Sequence, residues 1–132
     1  MTTIAYEIPF YANGLQADTL AARLQELTPK LLREGALEVR VIRSREDAYK
    51  FRMSIAVADQ ETWSRMWNSE TWIEFRTVHS KLYQKPLAYE KNVSIAHGRG
   101  PGVTDPYGDE PFGPAKTEDD PRMTGEPVPA GG

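Results

Sequence analysis

At 132 residues the chain has room for one domain. A 39% hydrophobic content permits a modest core, and a net charge of -3 gives no electrostatic reason to expect nucleic acid as a partner. No apolar run approaches the roughly 18 residues of a membrane span, and the absence of cysteine excludes disulfides, thiolate metal sites and a cysteine nucleophile, while fitting a reducing cytoplasm.

The composition divides the chain in two. Residues 99–132 hold 7 of the 10 glycines and 7 of the 10 prolines, with seven acidic residues against three basic ones. A segment of that kind buries too little apolar surface to offset the entropy of ordering. The expected organisation is a folded domain over residues 1–98 and a disordered Gly/Pro/acidic tail over 99–132. Tyr107 and Phe112 stand in that tail among turn-formers and acids, the pattern of a docking peptide that orders on a protein partner. A merely solubilising tail has the same composition.

Within the domain, residues 3–12 alternate, with Ile4, Tyr6, Ile8 and Phe10 on one face of a strand. Pro9 lacks a ladder donor and should place that gap at an edge or a bulge. Residues 16–34 read as a helix whose stripe is Leu20, Leu24, Leu27 and Leu31. Pro29 should kink or split it near Thr28, and Gly35 suits the left-handed residue that ends it. Residues 36–43 and 48–58 alternate again and make a hairpin about Arg45-Glu46-Asp47. Asp59 caps a helix carrying Trp63, Met66 and Trp67, and Ser69 caps a second piece with Trp72, Phe75, His79 and Leu82 on one face. Pro86 stops it, and residues 87–96 form a last strand. The order β-α-β-β-α-β is the split, ferredoxin-like α+β arrangement, a four-stranded antiparallel sheet with the helices on one face.

That order, Gly35 ahead of the second strand, and the segment Trp67-Asn68-Ser69-Glu70-Thr71-Trp72 together resemble the dimeric α+β barrel superfamily, which includes antibiotic-biosynthesis monooxygenase-like, haem-degrading monooxygenase-like and NIPSNAP-like families. The resemblance covers about residues 3–97. It implies a homodimer with sheets face to face and a ligand cavity between sheet and helices. Haem-degrading members use an Asn near the first strand and a Trp and a His on the second helix. Asn13, Trp67 and His79 stand nearest those places here, but Arg76 falls where spacing puts the His, so no cofactor is expected and haem is disfavoured.

The leading functional expectation is a small-molecule enzyme or ligand-binding protein. It would be a cofactor-independent monooxygenase or isomerase on an aromatic, polyketide-like substrate. In that reading His79 is the base and Tyr83 the hydrogen-bond donor, while Trp67, Trp72, Phe75 and Tyr6 line the pocket. Each also has a plain structural use: the aromatics as core, His79 as a hydrogen-bonded rim residue. No metal site is expected, because no carboxylate or second histidine stands at ligand spacing from His79 or His97. Arg40, Arg43, Arg45, Lys50 and Arg52 are interleaved with acids and read as a solvated hairpin. The alternative function is a non-catalytic dimeric scaffold whose tail docks a protein.

Overall fold

A computed structural model describes residues 3–103 of the chain. Tyr107 and Phe112 lie outside the described residues. The four strands are β1 (Ile4–Tyr11), β2 (Glu38–Arg43), β3 (Lys50–Val57) and β4 (Glu90–Val93). They form one antiparallel sheet in the order β2-β3-β1-β4. The period-two pattern explains the layering. Tyr6, Ile8 and Phe10 of β1 and Phe51, Met53, Ile55 and Val57 of β3 are all buried on the helix side, while Pro9, Tyr11 and Arg52 are exposed on the other. The register sets Ile8 opposite Met53 and Phe10 opposite Phe51, so the two central strands present one continuous apolar surface.

Helix α1 (Ala17–Arg33) lays its leucine stripe on that surface: Leu20, Leu24 and Leu31 are wholly buried and Leu27 nearly so. Of the two outcomes expected from the missing N–H of Pro29, a kink or a split, the split does not occur. A proline removes one intrahelical donor, whereas four buried leucines and the Thr28 hydroxyl, which donates to the Leu24 carbonyl at 3.0 Å, hold the turn on both sides. Gly35 ends the helix as expected, at φ 119°. A Cβ there would also come within 3.0 Å of Thr62 Cγ2, so the position is closed to larger residues by both backbone and space.

Helices α2 (Gln60–Trp67) and α3 (Glu70–Val78) follow. The carboxylate of Asp59 accepts from the Thr62 N–H and hydroxyl, both at 2.7 Å, which holds its pKa below the ordinary value. Ser69 accepts from the Trp72 N–H and starts α3. The break at Asn68-Ser69 lets Trp63 and Met66 of α2 and Trp72 and Phe75 of α3 all reach the core. A short 3-10 turn, Ser80–Leu82, then returns the chain to the end of β1, where Tyr83 bridges Ala12.

The last strand is shorter than the expected 87–96. Backbone polarity explains both ends. The Ala12 N–H bonds to Tyr49 on the β3 side, whereas the Tyr11 and Thr3 carbonyls accept from Gln84 and Ser94 on the β4 side. Odd positions of β1 therefore face β4, and the missing N–H of Pro9 falls two residues beyond Glu7, whose partner Glu90 begins β4. At the other end, Ile4 pairs with Val93 and β1 has run out. Ile95, inside the expected strand but beyond the observed one, is almost fully exposed.

Candidate aromatic site

The helix side of the sheet carries an unbroken run of rings. Tyr6 stacks on Trp63 with centroids 4.0 Å apart and planes 4° from parallel. Trp63 stacks on Trp67 at 5.3 Å, and Trp67 meets Trp72 at 4.8 Å. From Trp72 the run passes to Phe75 at 5.6 Å, and from Phe75 to Tyr83 at 6.0 Å. Tyr6, Trp63, Trp72, Phe75 and Tyr83 are buried, Trp67 is half-buried, and Tyr89 closes the solvent end with its ring edge-on to Tyr6, Trp63 and Trp67.

Arg76, on α3 one turn after Trp72, completes the open end. Its guanidinium carbon lies 4.1 Å from the centre of the Trp67 ring, and its Nη2 donates to the Trp67 carbonyl at 3.0 Å. Its pKa is lowered by burial and raised in part by Tyr83 nearby. Burial likewise pushes the Tyr83 phenol up, with Arg76 opposing, and pushes the Tyr6 phenol up, with Tyr89 adding to the shift. Both phenols are therefore protonated at neutral pH. Four buried polar atoms along this run have no hydrogen-bond partner among the described residues: Tyr6 Oη, Trp63 Nε1, Trp72 Nε1 and Arg76 Nη1.

Tyr6, Trp67, Trp72, Phe75 and Tyr83 share one run of ring contacts. His79 is placed apart from Trp72. It caps α3, packs against Phe75 at 5.6 Å, and lines a cleft between α1 and α3 with Arg23, Glu26, Lys30, Thr71 and Glu74. That cleft holds about 50 Å³, room for a few waters but not for an aromatic ring. The side chains of the run occupy the space between sheet and helices, so the volume expected there is filled.

Arg76 was legible only as an intruder at the histidine place. The signal for it was its spacing of four from Trp72, which puts the two on one helical face. Trp63 and Tyr89 appeared as generic aromatics, and nothing in the sequence says that they meet.

Asn13, Trp67 and His79, the residues nearest the haem-degrading pattern, are not brought together. Asn13 spends its side-chain N–H groups on the Lys81 and Tyr83 carbonyls, Trp72 and Phe75 lie between Trp67 and His79, and Arg76 covers the Trp67 ring. These residues do not fit a haem. No cluster of three His, Cys, Asp or Glu placed to hold a metal ion occurs among the described residues, and none of their helices is long and apolar enough to cross a membrane.

No family model matches the chain, and no curated protein matches it. Solved structures do. PA3566 from Pseudomonas aeruginosa superposes with a TM-score of 0.66 at 22% identity, over 73% of this chain and 97% of that one. The chain shares with it the ferredoxin-like α+β fold, a four-stranded antiparallel sheet with the helices on one face. A candidate antibiotic biosynthesis monooxygenase from Bordetella bronchiseptica matches with a TM-score of 0.61 at 17% identity, over 73% of this chain and 100% of that one. A variant of SnoaB, a cofactor-independent oxygenase from Streptomyces nogalater, matches with a TM-score of 0.56 at 14% identity, over 75% and 97%. At such identities the likeness carries the fold and leaves the chemistry to the site.

Proposed function

We propose that the domain binds a flat aromatic small molecule at the Trp63–Trp67–Trp72 run and oxygenates it without metal or cofactor. The observation that carries this reading is the set of buried, unpartnered polar atoms along stacked rings that come to the surface at Trp67 and Tyr89. Most buried polar atoms in folded proteins have a partner, so four without one along a single run call for an explanation, and a bound acceptor supplies it. The oxygenase class comes from what the neighbours are called. An electron-rich aromatic enolate can itself reduce dioxygen: a ring CH₂ and O₂ become C=O and H₂O, with one oxygen atom retained on carbon. Arg76 is the chain's means of holding the enolate, and Tyr83 stands beside it as a neutral donor.

Anthrone is a suitable probe, since its oxidation to anthraquinone has that stoichiometry. The expected result is oxygen uptake above the uncatalysed rate, one O₂ per anthrone, unchanged by a chelator. An uptake equal to the blank would reject the oxygenase class.

The exposed sheet face supports a homodimer. Tyr11 and Ile42 are exposed on it, and the cross-strand pair Ala5–Ala56 keeps its centre low enough for a second sheet to approach. Sedimentation should give twice the 14.9 kDa chain mass, and a monomer at micromolar concentration would remove the barrel.

The filled space between sheet and helices favours one other reading, a dimeric scaffold whose tail, through Tyr107 and Phe112, engages a protein. Loss of a partner on deletion of residues 99–132, with no aromatic ligand bound by the domain, would establish it.

A further inference from the structure

An aromatic cluster open to solvent at Trp67 and Tyr89 has the general form of a cage for a quaternary ammonium, held by the negative faces of the rings. Here the place a cation would take is already occupied. Arg76 lies over Trp67 at 4.1 Å, and Trp63 stacks on the same indole at 5.3 Å, so a second positive charge would meet Arg76.

The orphaned atoms point the same way. Trp63 Nε1, Trp72 Nε1 and Arg76 Nη1 can only donate, and Tyr6 Oη carries its proton. A cation offers a buried donor nothing, whereas a carboxylate or phenolate at the Trp67 face has lone pairs for Arg76 Nη1. Burial of the guanidinium strengthens its pull on an anion, because less water screens it. Arg76 uses one nitrogen on the Trp67 carbonyl and keeps Nη1 for another acceptor.

Resting on the aromatic-ligand reading above, we infer that the site selects planar aromatic anions over neutral or cationic aromatics. Arg76 is the specificity-determining residue: it turns from the Trp67 face to meet the ligand's charged oxygen, and the ligand's ring takes the place the guanidinium leaves.

The test compares naphthoate with naphthylmethyl-trimethylammonium by calorimetry on the full chain at one ionic strength. Wild type should bind naphthoate at least about tenfold more tightly, a difference of about 1.4 kcal/mol. In Arg76→Gln the preference should reverse, because the carboxylate loses its partner and the rings become an uncapped cage. Arg76→Lys should keep the anion preference at lower affinity, since the charge remains but the planar stack does not. Equal or tighter binding of the cation by wild type would overturn the inference while leaving the aromatic site standing, as would an unchanged naphthoate preference in a folded Arg76→Gln protein. Binding of neither probe by wild type would overturn the aromatic site itself and the inference with it. The wild-type comparison needs no variant, so it decides even where a substitution fails to fold.

Discussion

The two halves of the core treat their polar atoms differently. Under α1 the buried core is four leucines and Thr28, whose hydroxyl donates to the Leu24 carbonyl, and the atoms without a partner there, Arg23 Nε and Glu34 Oε1, belong to half-buried side chains outside the leucine stripe. Under α2 and α3, stacked indoles and phenols bury Tyr6 Oη, Trp63 Nε1, Trp72 Nε1 and Arg76 Nη1 with no partner among the described residues. An unmet buried donor costs about 1–3 kcal/mol, so each such atom among the stacked rings is a place where a bound acceptor would add stability. The leucine half is built to hold the fold. The tryptophan half carries a cost that a bound acceptor would relieve.

The largest expected effect tests the first half. Leu24→Ala should lower stability by about 2–5 kcal/mol in urea denaturation, through lost burial and the cavity left behind. A loss below about 1 kcal/mol would mean that α1 is not the structural half. Next comes the same chemical change made on both sides, the removal of one hydroxyl. Thr28→Val should cost about 1 kcal/mol, because it deletes a hydrogen bond made in the core. Tyr6→Phe should raise stability by about 1 kcal/mol, because it deletes a hydroxyl that has no partner, and should weaken naphthoate binding at the same time. Opposite signs keep the comparison. A destabilised Tyr6→Phe would show that the phenol is satisfied and structural.

How much of this was legible follows from the range of the forces involved. Period-two strands, the leucine stripe, the Asp59 and Ser69 caps and the Gly35 terminus are local, and each appears where its pattern places it. The split at Pro29, one of the two outcomes expected there, does not occur because tertiary burial overrides the local rule: one missing donor does not outweigh four leucines. The extent of β4 misled because alternation says nothing about the partner strand, and β1 offers neither a donor at Pro9 nor residues beyond its start. The site was legible as a list of aromatics and illegible as a contact map. Trp63 and Tyr89 are 26 residues apart and meet only because β4 pairs beside Tyr6. Arg76 has no sequence mark that distinguishes it from a solvated arginine; its contact with Trp67 spans the Asn68-Ser69 break between α2 and α3. His79 shared a periodic face with Trp72 and Phe75, but α3 ends at Val78, one residue before it.

The smallest effect separates the halves by pH. Tyr6 and Tyr83 both have pKa values raised above about 10 by burial, while the unfolded chain keeps the ordinary value. Below pH about 10 both states hold these protons, and the two phenols add no pH dependence. Above it the unfolded state releases protons that the folded state retains, so stability falls as pH rises from about 10 through the folded values. The buried residues of the leucine stripe include no phenol. Urea titrations at stepped alkaline pH should therefore show a decline that is shallower in Tyr6→Phe than in wild type, and shallower again when Tyr83→Phe is added. Equal slopes in all three proteins would mean that these phenols ionise as freely in the fold as outside it. They would then not be the neutral donors that the aromatic half requires.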